Sequence, residues 1–429
     1  MIITYLVILL LVGIYKSNKS TDNEYIYASR KLTLPSFVAT FVTTWYGGIL
    51  EIGRFTYQNG IVSWIIFGLF YYISAFIFLK LFAYKIHKNN IDTIPEYFHK
   101  YFGYIPGLFS SFIILLISSP APYIIIFAVI FQHVYEISYF YSVIIGLFFS
   151  ISYLLIGGFK SIIRTDKIQF IFMYLGFTII LINLYSQYGG ITFLFNNLPE
   201  KHLKITHNLP IGYILSWMLI SMITFIDPNI FQRVYSAKNK AVIKKGILIS
   251  IFFWILFDFL TILTGLYAAA IITNGNVISS PYLMLSDTVL SPFLSIIFTI
   301  SLLSIVMSTI DSFTFTSAIT LSKEIKNKTS QKEKVQIGVV ITSIISLIIV
   351  FYFKNVIDIW YVFGSIGASS ILIPLIKLFN NPKKRIFYPT LTLIIPALIC
   401  FIWIILGNPL GIDCLYPGVF TSLCINYFS

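Results

Sequence analysis

Twelve apolar stretches, spaced along nearly the whole chain, constrain the fold of this sequence more than any other feature. Each is close to the roughly 20 residues that an α-helix needs to cross the hydrocarbon layer of a membrane. Their approximate bounds are 2–15, 34–53, 61–79, 104–132, 137–159, 166–190, 209–227, 246–272, 289–311, 335–353, 359–376 and 386–407. The sequence therefore predicts an all-α polytopic membrane protein with about 12 transmembrane helices.

The distribution of basic residues predicts the orientation of these helices. If the N-terminus lies outside, nearly all of the 29 lysines and arginines fall in connections that face the cytoplasm. The exceptions are Arg54, Lys201, Lys204 and Lys354. Because basic residues concentrate in cytoplasmic loops, we expect a multi-pass protein of the plasma (inner) membrane with its N-terminus outside. The first stretch has no basic residue before it, so we expect a retained helix and not a signal peptide.

The composition excludes several classes of protein. The chain is 58% hydrophobic and only 10% charged, whereas soluble domains are typically about 25% charged. This excludes an ordinary soluble enzyme, a disordered chain and a nucleic-acid-binding protein. Cys414 and Cys424 either form a disulfide or remain free thiols. The longest polar connection, 191–208, is too short for a core of its own, so we expect a single domain over 1–429.

Ionisable side chains at bilayer depth cost roughly 3 kcal/mol each, so each one needs a physical reason. Five stand out, namely Glu51, Arg54, Asp166, Asp258 and Asp311. Glu51 and Arg54 share a helix face. They form either a charge pair beside a solute path or an intrahelical ion pair near the outer end of the helix. Asp258 is either a cation ligand or a hydrogen-bond partner of a neighbouring helix.

Two of the apolar stretches carry features that suit an ion site. At residues 43–48 (TTWYGG), two glycines follow two threonines at mid-membrane depth. Glycines let a helix unwind and release carbonyl oxygens. In the ninth stretch Ser304, Ser308 and Thr309 place hydroxyl groups on neighbouring positions of one helix. Such oxygens suit hard cations such as Na⁺; alternatively the glycines form a packing notch and the hydroxyls bond only between helices.

Six groups of short motifs, in order along the chain, resemble those of the sodium:solute symporter family. They are ASRKL at 28–32; TWYGG at 44–48; DTIPEYF at 92–98 with YFG at 101–103; GGFKS at 157–161 with TDKIQ at 165–169; DP at 227–228 with QR at 232–233 and AK at 237–238; and MSTIDS at 307–312. Their order and spacing cover roughly residues 28–325.

The resemblance implies a LeuT-type core of two inverted five-helix repeats. Here the repeats would span 34–190 and 209–377, with peripheral helices at 1–16 and 386–407. It also implies a Na⁺ site between the broken first core helix and the eighth core helix. The implied ligands are the backbone carbonyls of Thr43, Tyr46 and Ile305, the side-chain oxygens of Ser308 and Thr309, and the nearby carboxylate of Asp166.

The resemblance further implies secondary active transport: Na⁺-coupled symport of a small organic solute by alternating access, with Na⁺ as the co-transported ion and no enzymatic activity. The expected partners are the solute and the lipid bilayer, with no nucleic acid and no obligate protein partner. By fold analogy the solute pocket lies near the midplane, beside the helix breaks. The candidate residues are Thr44, Gly47, Gly48, Glu51, Pro122, Trp217 and Asp227. They favour a neutral or zwitterionic solute, although Asp227 also suits a helix cap.

Two alternatives keep the fold and change the function. Protons could replace Na⁺ and couple through Asp166, Asp258 or Glu51. A transporter-like sensor without turnover is the second alternative, although such proteins usually carry a soluble signalling domain. An integral-membrane enzyme is disfavoured, because the sequence has no GxSxG or HExxH motif and no paired histidines on one apolar helix face.

Overall fold

The structure is a computed structural model, and it describes residues 1–15, 17, 20–89, 91–206, 209–272, 280–326, 328–353, 356–380 and 388–428. Almost all of this part of the chain is helical. In chain order the helices are α1 (Ile2–Ile14), α2 (Asp22–Tyr27), α3 (Leu34–Thr43), α4 (Ile49–Asn59), α5 (Val62–Lys88), α6 (Ile94–Phe102), α7 (Tyr104–Ile117), α8 (Ala121–Tyr135), α9 (Tyr139–Tyr188), α10 (Ile191–Asn197), α11 (Ile211–Ser221), α12 (Pro228–Ser236), α13 (Lys240–Ile271), α14 (Pro281–Val289), α15 (Pro292–Glu324), α16 (Gln331–Tyr352), α17 (Val356–Asn380), α18 (Pro389–Ile405) and α19 (Leu415–Phe428).

The length and surface of the helices are those of a multi-pass membrane protein. Among the described residues, 8 helical segments are long and apolar enough to cross a membrane, and α1, α3 and α18 are shorter apolar helices. Large apolar side chains such as Phe252, Phe259 and Ile348 point outward and are more than half exposed. In water a surface of this kind would aggregate, whereas in a bilayer it faces lipid.

Three of the predicted stretches are broken inside the bundle. The second stretch divides into α3 and α4, as its glycines predicted. The fourth divides into α7 and α8 at residues 118–120, where Pro120 and Pro122 cannot both continue a helical hydrogen-bond ladder. In the seventh, 209–227, α11 ends at Ser221 and passes into the 3-10 turn Met222–Phe225, and α12 begins directly after the stretch. Each break leaves backbone groups inside the protein without helical partners.

The fifth and sixth stretches are two helices that meet at a sharp kink, which lies just before the predicted connection at 160–165. Within α9 only Gly158 leaves helical geometry, with φ 55° and ψ −141°. A side chain there would be strained, and its Cβ would lie 2.5 Å from the carbonyl oxygen of Tyr25. Asp166 therefore lies inside a helix, past the kink, and not at a helix start as expected.

The sequence analysis did not anticipate α19, which follows the last predicted stretch and packs against α18. Pro417 and several polar residues interrupt the apolar run there, so its hydropathy falls below that of a spanning helix. Cys414 directly precedes α19, and Cys424 lies within it. Both are free thiols, as is Cys400, so the free-thiol alternative holds in the structure.

Helix α15 lies at the centre of the bundle, with buried residues on all faces from Phe298 to Thr320. It packs closely along α9, where Gly176 lets the two helices approach: an added Cβ would lie 2.3 Å from that of Ser301. At the other end of α15, Lys323 pairs with Asp92 (3.1 Å) and Glu96 (2.9 Å) beside the start of α6. The central helix, from the second half of the chain, is thereby fixed against two elements of the first half.

Candidate functional site

The backbone between α3 and α4 leaves helical geometry at residues 44–48. In a continuous helix the carbonyls of Thr43 and Tyr46 would each accept an N–H from four residues ahead. At this break neither carbonyl oxygen accepts a hydrogen bond from any described residue. Two unused carbonyl oxygens therefore lie in the interior of the membrane domain.

Two hydroxyl groups of α15 lie beside the break. The Thr309 Oγ1 atom is 3.1 Å from the carbonyl oxygen of Thr44 and 3.1 Å from that of Ile305, so it donates to either. The preceding hydroxyl, Ser308 Oγ, donates to Oδ1 of Asp166 on α9 at 2.6 Å. The break, the central helix and a buried carboxylate thus meet at one place.

Asp166 is fully buried, and its two oxygens have different surroundings. Oδ1 accepts the hydrogen bond from Ser308, while Oδ2 accepts none from the described residues. The nearest cationic group to Oδ2 is Nη2 of Arg233, at 3.9 Å. An oxygen of a buried carboxylate without a donor is available to a cation.

Arg233 was missed by the sequence analysis, which counted it among the charges of a cytoplasmic connection. The structure corrects this: the side chain is 1% exposed and lies inside the bundle, on α12. Its Nη2 group donates to Thr44 Oγ1 at 2.6 Å and to Ser312 Oγ at 2.7 Å. It also donates to Thr40 Oγ1 at 2.9 Å. The guanidinium therefore connects α12 with both α3 and α15. The adjacent glutamine-arginine motif was the available signal.

The hydroxyl groups of two predicted ligands, Thr43 and Tyr46, donate to backbone carbonyls outside the break. The Tyr46 hydroxyl donates to the carbonyl oxygen of Trp254 on α13 at 3.0 Å. The Thr43 hydroxyl donates back to Ala39 O at 3.0 Å. Only the backbone of Thr43 and Tyr46 is open, which agrees with the carbonyl role expected of them. It is the hydroxyl of Thr44 that reaches α15, where it lies 3.1 Å from Ser312 Oγ.

A cavity of about 150 Å³ lies beside the three helix breaks. Its walls are mainly apolar, with many aromatic side chains, and among the described residues no Lys, Arg or His lines it. Five of the predicted solute-site residues line the cavity: Thr44, Gly48, Pro122, Trp217 and Asp227. Further lining side chains that the sequence did not single out are Trp45, Tyr71, Ser119, Tyr123, Phe313 and Trp360.

Gly47 and Glu51 do not line this cavity. Gly47 faces α15 so closely that an added Cβ would lie 2.6 Å from Thr309 Cβ, so it allows the contact between the break and the central helix. Glu51 is buried and forms an ion pair with Arg54 at 3.2 Å. Glu51 and Arg54 therefore form an intrahelical ion pair, the second of the two alternatives for these residues.

Asp227 lies where the chain enters α12, and its side chain is 8% exposed. Its Oδ1 atom accepts the backbone N–H of Asn229 at 2.7 Å, which makes it the N-cap of α12. The same side chain lines the cavity. The two roles weighed for Asp227 are therefore compatible, because the cap uses only one carboxylate oxygen.

The remaining buried carboxylates bond to neighbouring helices. The hydroxyl of Tyr72 on α5 donates to Asp258. Asp311 accepts hydrogen bonds from Ser150 and Tyr153 on α9. Neither carboxylate lines the cavity. In the structure Asp258 is thus a hydrogen-bond partner of a neighbouring helix, which was the second alternative for this residue.

Known proteins resemble this chain over most of its length. The model of the sodium:solute symporter family matches residues 25–379. The osmoregulated proline transporter OpuE of Bacillus subtilis (strain 168) is 24% identical over 462 residues, covering 98% of this chain and 91% of that protein. A sodium/proline symporter of Haemophilus influenzae is 26% identical over 381 residues, covering 80% and 74%.

Solved structures resemble the whole fold. A Na⁺-coupled sialic acid symporter in a substrate-bound outward-open state superposes with a TM-score of 0.78 at 15% identity, covering 99% of this chain and 95% of that one. Mhp1, a nucleobase-cation-symport-1 family transporter, superposes with a TM-score of 0.67 at 11% identity, covering 97% and 96%. At such low identity these likenesses concern the fold alone.

Proposed function

The chain belongs to the sodium:solute symporter family, and from that membership we propose how its site performs transport. It is a Na⁺-coupled symporter of a small organic solute with a LeuT-type fold. The family and the relatives are transporters and not enzymes, and we propose the same of this chain. We further propose that its repeats span 34–190 and 209–377, flanked by peripheral helices at 1–16 and 386–407, and that it lies in the plasma membrane with its N-terminus outside.

We propose that Na⁺ binds where the α3–α4 break meets α15. The proposed ligands are the carbonyl oxygens of Thr43, Tyr46 and Ile305 and the hydroxyls of Ser308 and Thr309, with the Asp166 carboxylate close by. The observation that carries this proposal is the contact of Thr309 Oγ1 with Thr44 O, at 3.1 Å. The unused carbonyls of Thr43 and Tyr46 support it, since oxygen ligands of this type suit hard cations.

Coupling follows from the position of this ion between two helices. The break belongs to the proposed first repeat and α15 to the second, so Na⁺ favours the state in which the two are in contact. A ligand shifts a conformational equilibrium only by its differential affinity for the two states. Because the cavity lies beside the same break, Na⁺ that fixes the break also orders one wall of the solute site. Solute and Na⁺ then bind with positive coupling.

The membrane potential supplies part of the driving force. One Na⁺ crossing a potential of about 100 mV releases about 2.3 kcal/mol. This corresponds to a solute concentration ratio of roughly 50-fold, before the Na⁺ gradient is added. A 1:1 symporter of a neutral or zwitterionic solute would therefore be electrogenic.

The relatives point to an amino acid as the first solute to test. Two of them carry proline in their names, and we propose that this chain takes a small organic solute of that size. Its cavity of about 150 Å³ is suited to such a molecule and is lined largely by apolar side chains, many of them aromatic.

The experiment is uptake of labelled L-proline by purified protein in proteoliposomes, with Na⁺ or choline as the external cation. We expect accumulation only with inward Na⁺, increased by an inside-negative potential. Uptake that is unchanged when choline replaces Na⁺ would contradict Na⁺ coupling. Uptake driven by a pH gradient without Na⁺ would favour the proton-coupled alternative, and Na⁺-dependent proline binding without flux would favour the sensor.

A further inference from the structure

Exposed lysines lie at one end of two neighbouring helices, α5 and α13. Helix α5 ends there and α13 begins there, and the two helices pack along each other. The lysines are Lys80 and Lys88 on α5 and Lys240 and Lys244 on α13, and we call them the basic surface. None of the four forms an ion pair with a described residue. The described part of the chain therefore supplies no counterion to these four charges.

The segments that form the basic surface contain no acidic residue. Residues 52–91 and 228–257 have no Asp or Glu. The four carboxylates that flank these segments already interact with other groups of the protein: Glu51, Asp92, Asp227 and Asp258. Like charges that lie close together repel each other, and an anion bound between them relieves the repulsion. The basic surface is therefore suited to an anion from outside the protein.

Other charged groups near this end of the bundle have partners. Lys323, at the end of α15, lies 2.9 Å from Glu96 and 3.1 Å from Asp92. His99 on α6 lies 2.8 Å from Glu324. The carboxylates are thus concentrated around α6 and the end of α15. This uneven distribution distinguishes the basic surface from the general excess of basic residues in the connections of a membrane protein.

Exposed apolar side chains continue both helices beyond the lysines. On α13, Leu248 and Phe252 follow Lys244 at intervals of four residues, so all three share one helix face. On α5 the Nζ atom of Lys80 lies 5.3 Å from the ring centroid of Phe76, which is also exposed. Each of these helices therefore changes from charged to apolar along its exposed side. A phospholipid changes in the same way from its headgroup to its acyl chains.

We propose that the basic surface binds the headgroup of an anionic phospholipid, such as phosphatidylglycerol, whose acyl chains lie along the exposed apolar residues of α5 and α13. Lysine ammonium groups donate hydrogen bonds to the phosphate oxygens. The attraction of an anionic headgroup increases with every basic side chain near it. A free phosphate would meet only the charged part of this surface, whereas a lipid meets both parts. The proposal depends on the chain's position in a membrane and not on the proposed Na⁺ site or the cavity.

The lipid would bind to a helix that also supports the α3–α4 break. The Tyr46 hydroxyl donates to the carbonyl oxygen of Trp254 on α13 at 3.0 Å, and the Trp254 ring stacks on Phe41 of α3 with centroids 5.3 Å apart. A ligand stabilises the folded state to which it binds. Bound anionic lipid should therefore stabilise the packing of α13 against α3 and raise the melting temperature of the protein.

Lipid titration of the purified full-length protein in a neutral detergent tests the proposal. Dioleoylphosphatidylglycerol and dioleoylphosphatidylcholine have the same acyl chains and differ in net charge, while glycerol 3-phosphate has a phosphate without acyl chains. We expect phosphatidylglycerol to raise the melting temperature until the effect saturates, and the other two to have little effect at equal concentration. Equal stabilisation by the two lipids would overturn the charge requirement. Equal stabilisation by glycerol 3-phosphate would overturn the assignment to a lipid.

Ionic strength gives a second measurement on the same samples. Added choline chloride at fixed NaCl screens the lysines without changing the Na⁺ concentration. We expect the apparent Kd for phosphatidylglycerol to rise as choline chloride is added. An apparent Kd that does not depend on ionic strength would contradict binding through the lysine charges.

A pair of double variants tests the position of the site. Lys240→Gln with Lys244→Gln removes two of the four charges from the basic surface, so we expect the apparent Kd for phosphatidylglycerol to rise about tenfold or more. The matched control, Lys100→Gln with Lys326→Gln, also removes two exposed lysines, but beside α6 and the end of α15. It should leave the apparent Kd nearly unchanged. Losses of equal size in the two double variants would refute the assigned site.

Discussion

Nη2 of Arg233 lies 3.9 Å from Oδ2 of Asp166, and both side chains are almost completely buried within the helix bundle. The same guanidinium contacts hydroxyls on α3 and α15, the two elements that carry the proposed Na⁺ ligands. The guanidinium of Arg233 and a bound Na⁺ would therefore both interact with the Asp166 carboxylate. The contribution of each to stability can be measured.

Arg233→Gln removes the guanidinium charge and leaves Na⁺ as the remaining cation near Asp166. Removing one member of a buried pair costs about 3–5 kcal/mol, since it leaves the other charge uncompensated. We expect a lower melting temperature in choline chloride and a larger increase on adding NaCl, because Na⁺ then supplies the missing charge near Asp166. The exposed Lys245 on α13 offers the control Lys245→Gln. A Na⁺ response equal to that of the wild type would contradict the shared carboxylate.

Ser308→Ala and Thr309→Ala should each weaken Na⁺ binding. Loss of one protein hydroxyl that contacts the bound Na⁺ reduces the binding free energy by about 1.4 kcal/mol or more. We therefore expect the Na⁺ concentration for half-maximal uptake to rise about tenfold. Ser304→Ala is the matched control one turn earlier, where the hydroxyl donates to Ile300 O at 2.6 Å. If the double variant keeps the wild-type Na⁺ dependence, the ion binds elsewhere.

Gly48→Ala should weaken solute binding more than Na⁺ binding. The added methyl group would lie 1.8 Å from Cη2 of Trp360, so the indole must move into the cavity or away from it. We expect at least a tenfold increase in the KM for solute with a much smaller change in Na⁺ half-saturation, measured by uptake. Gly212→Ala adds a methyl group in open space and is the control. An unchanged KM would show that this contact does not shape the solute site.

Asp258→Asn tests the proton-coupled alternative. Asp258 accepts a hydrogen bond from Tyr72 and does not line the cavity. An amide can accept the same bond, so we expect Na⁺-driven uptake and its pH profile to change little. The companion variant Tyr72→Phe leaves the buried carboxylate without this donor and should lower stability by about 1–3 kcal/mol. Loss of pH dependence together with loss of uptake in Asp258→Asn would instead assign proton transfer to this carboxylate.

The fold class and the family could be predicted from the sequence because both depend on local patterns. Apolar runs near 20 residues indicate spanning helices whatever they pack against. The glycines at 47–48 predicted the α3–α4 break, since glycine weakens a helix wherever it lies. Hydropathy failed where a local signal was weak: α19, interrupted by Pro417, was not anticipated, and the connection between the fifth and sixth stretches was expected at 160–165, whereas the kink lies at Gly158.

The sequence by itself determined that this chain crosses a membrane repeatedly, that one helix is interrupted, and that its motifs are those of a cation-coupled transporter family. Only the tertiary structure decided which polar groups meet. In the sequence Arg233 appears as a charge of a cytoplasmic connection, whereas in the structure it is a buried partner of Asp166. For Glu51 the structure decided between two alternatives that the sequence had left open, and it pairs with Arg54. Trp360 carried no local signal at all. The physical reason is that hydropathy and helix breaks arise from neighbours along the chain, whereas a site is assembled from helices distant in sequence, whose packing selects the side chains that remain without a partner.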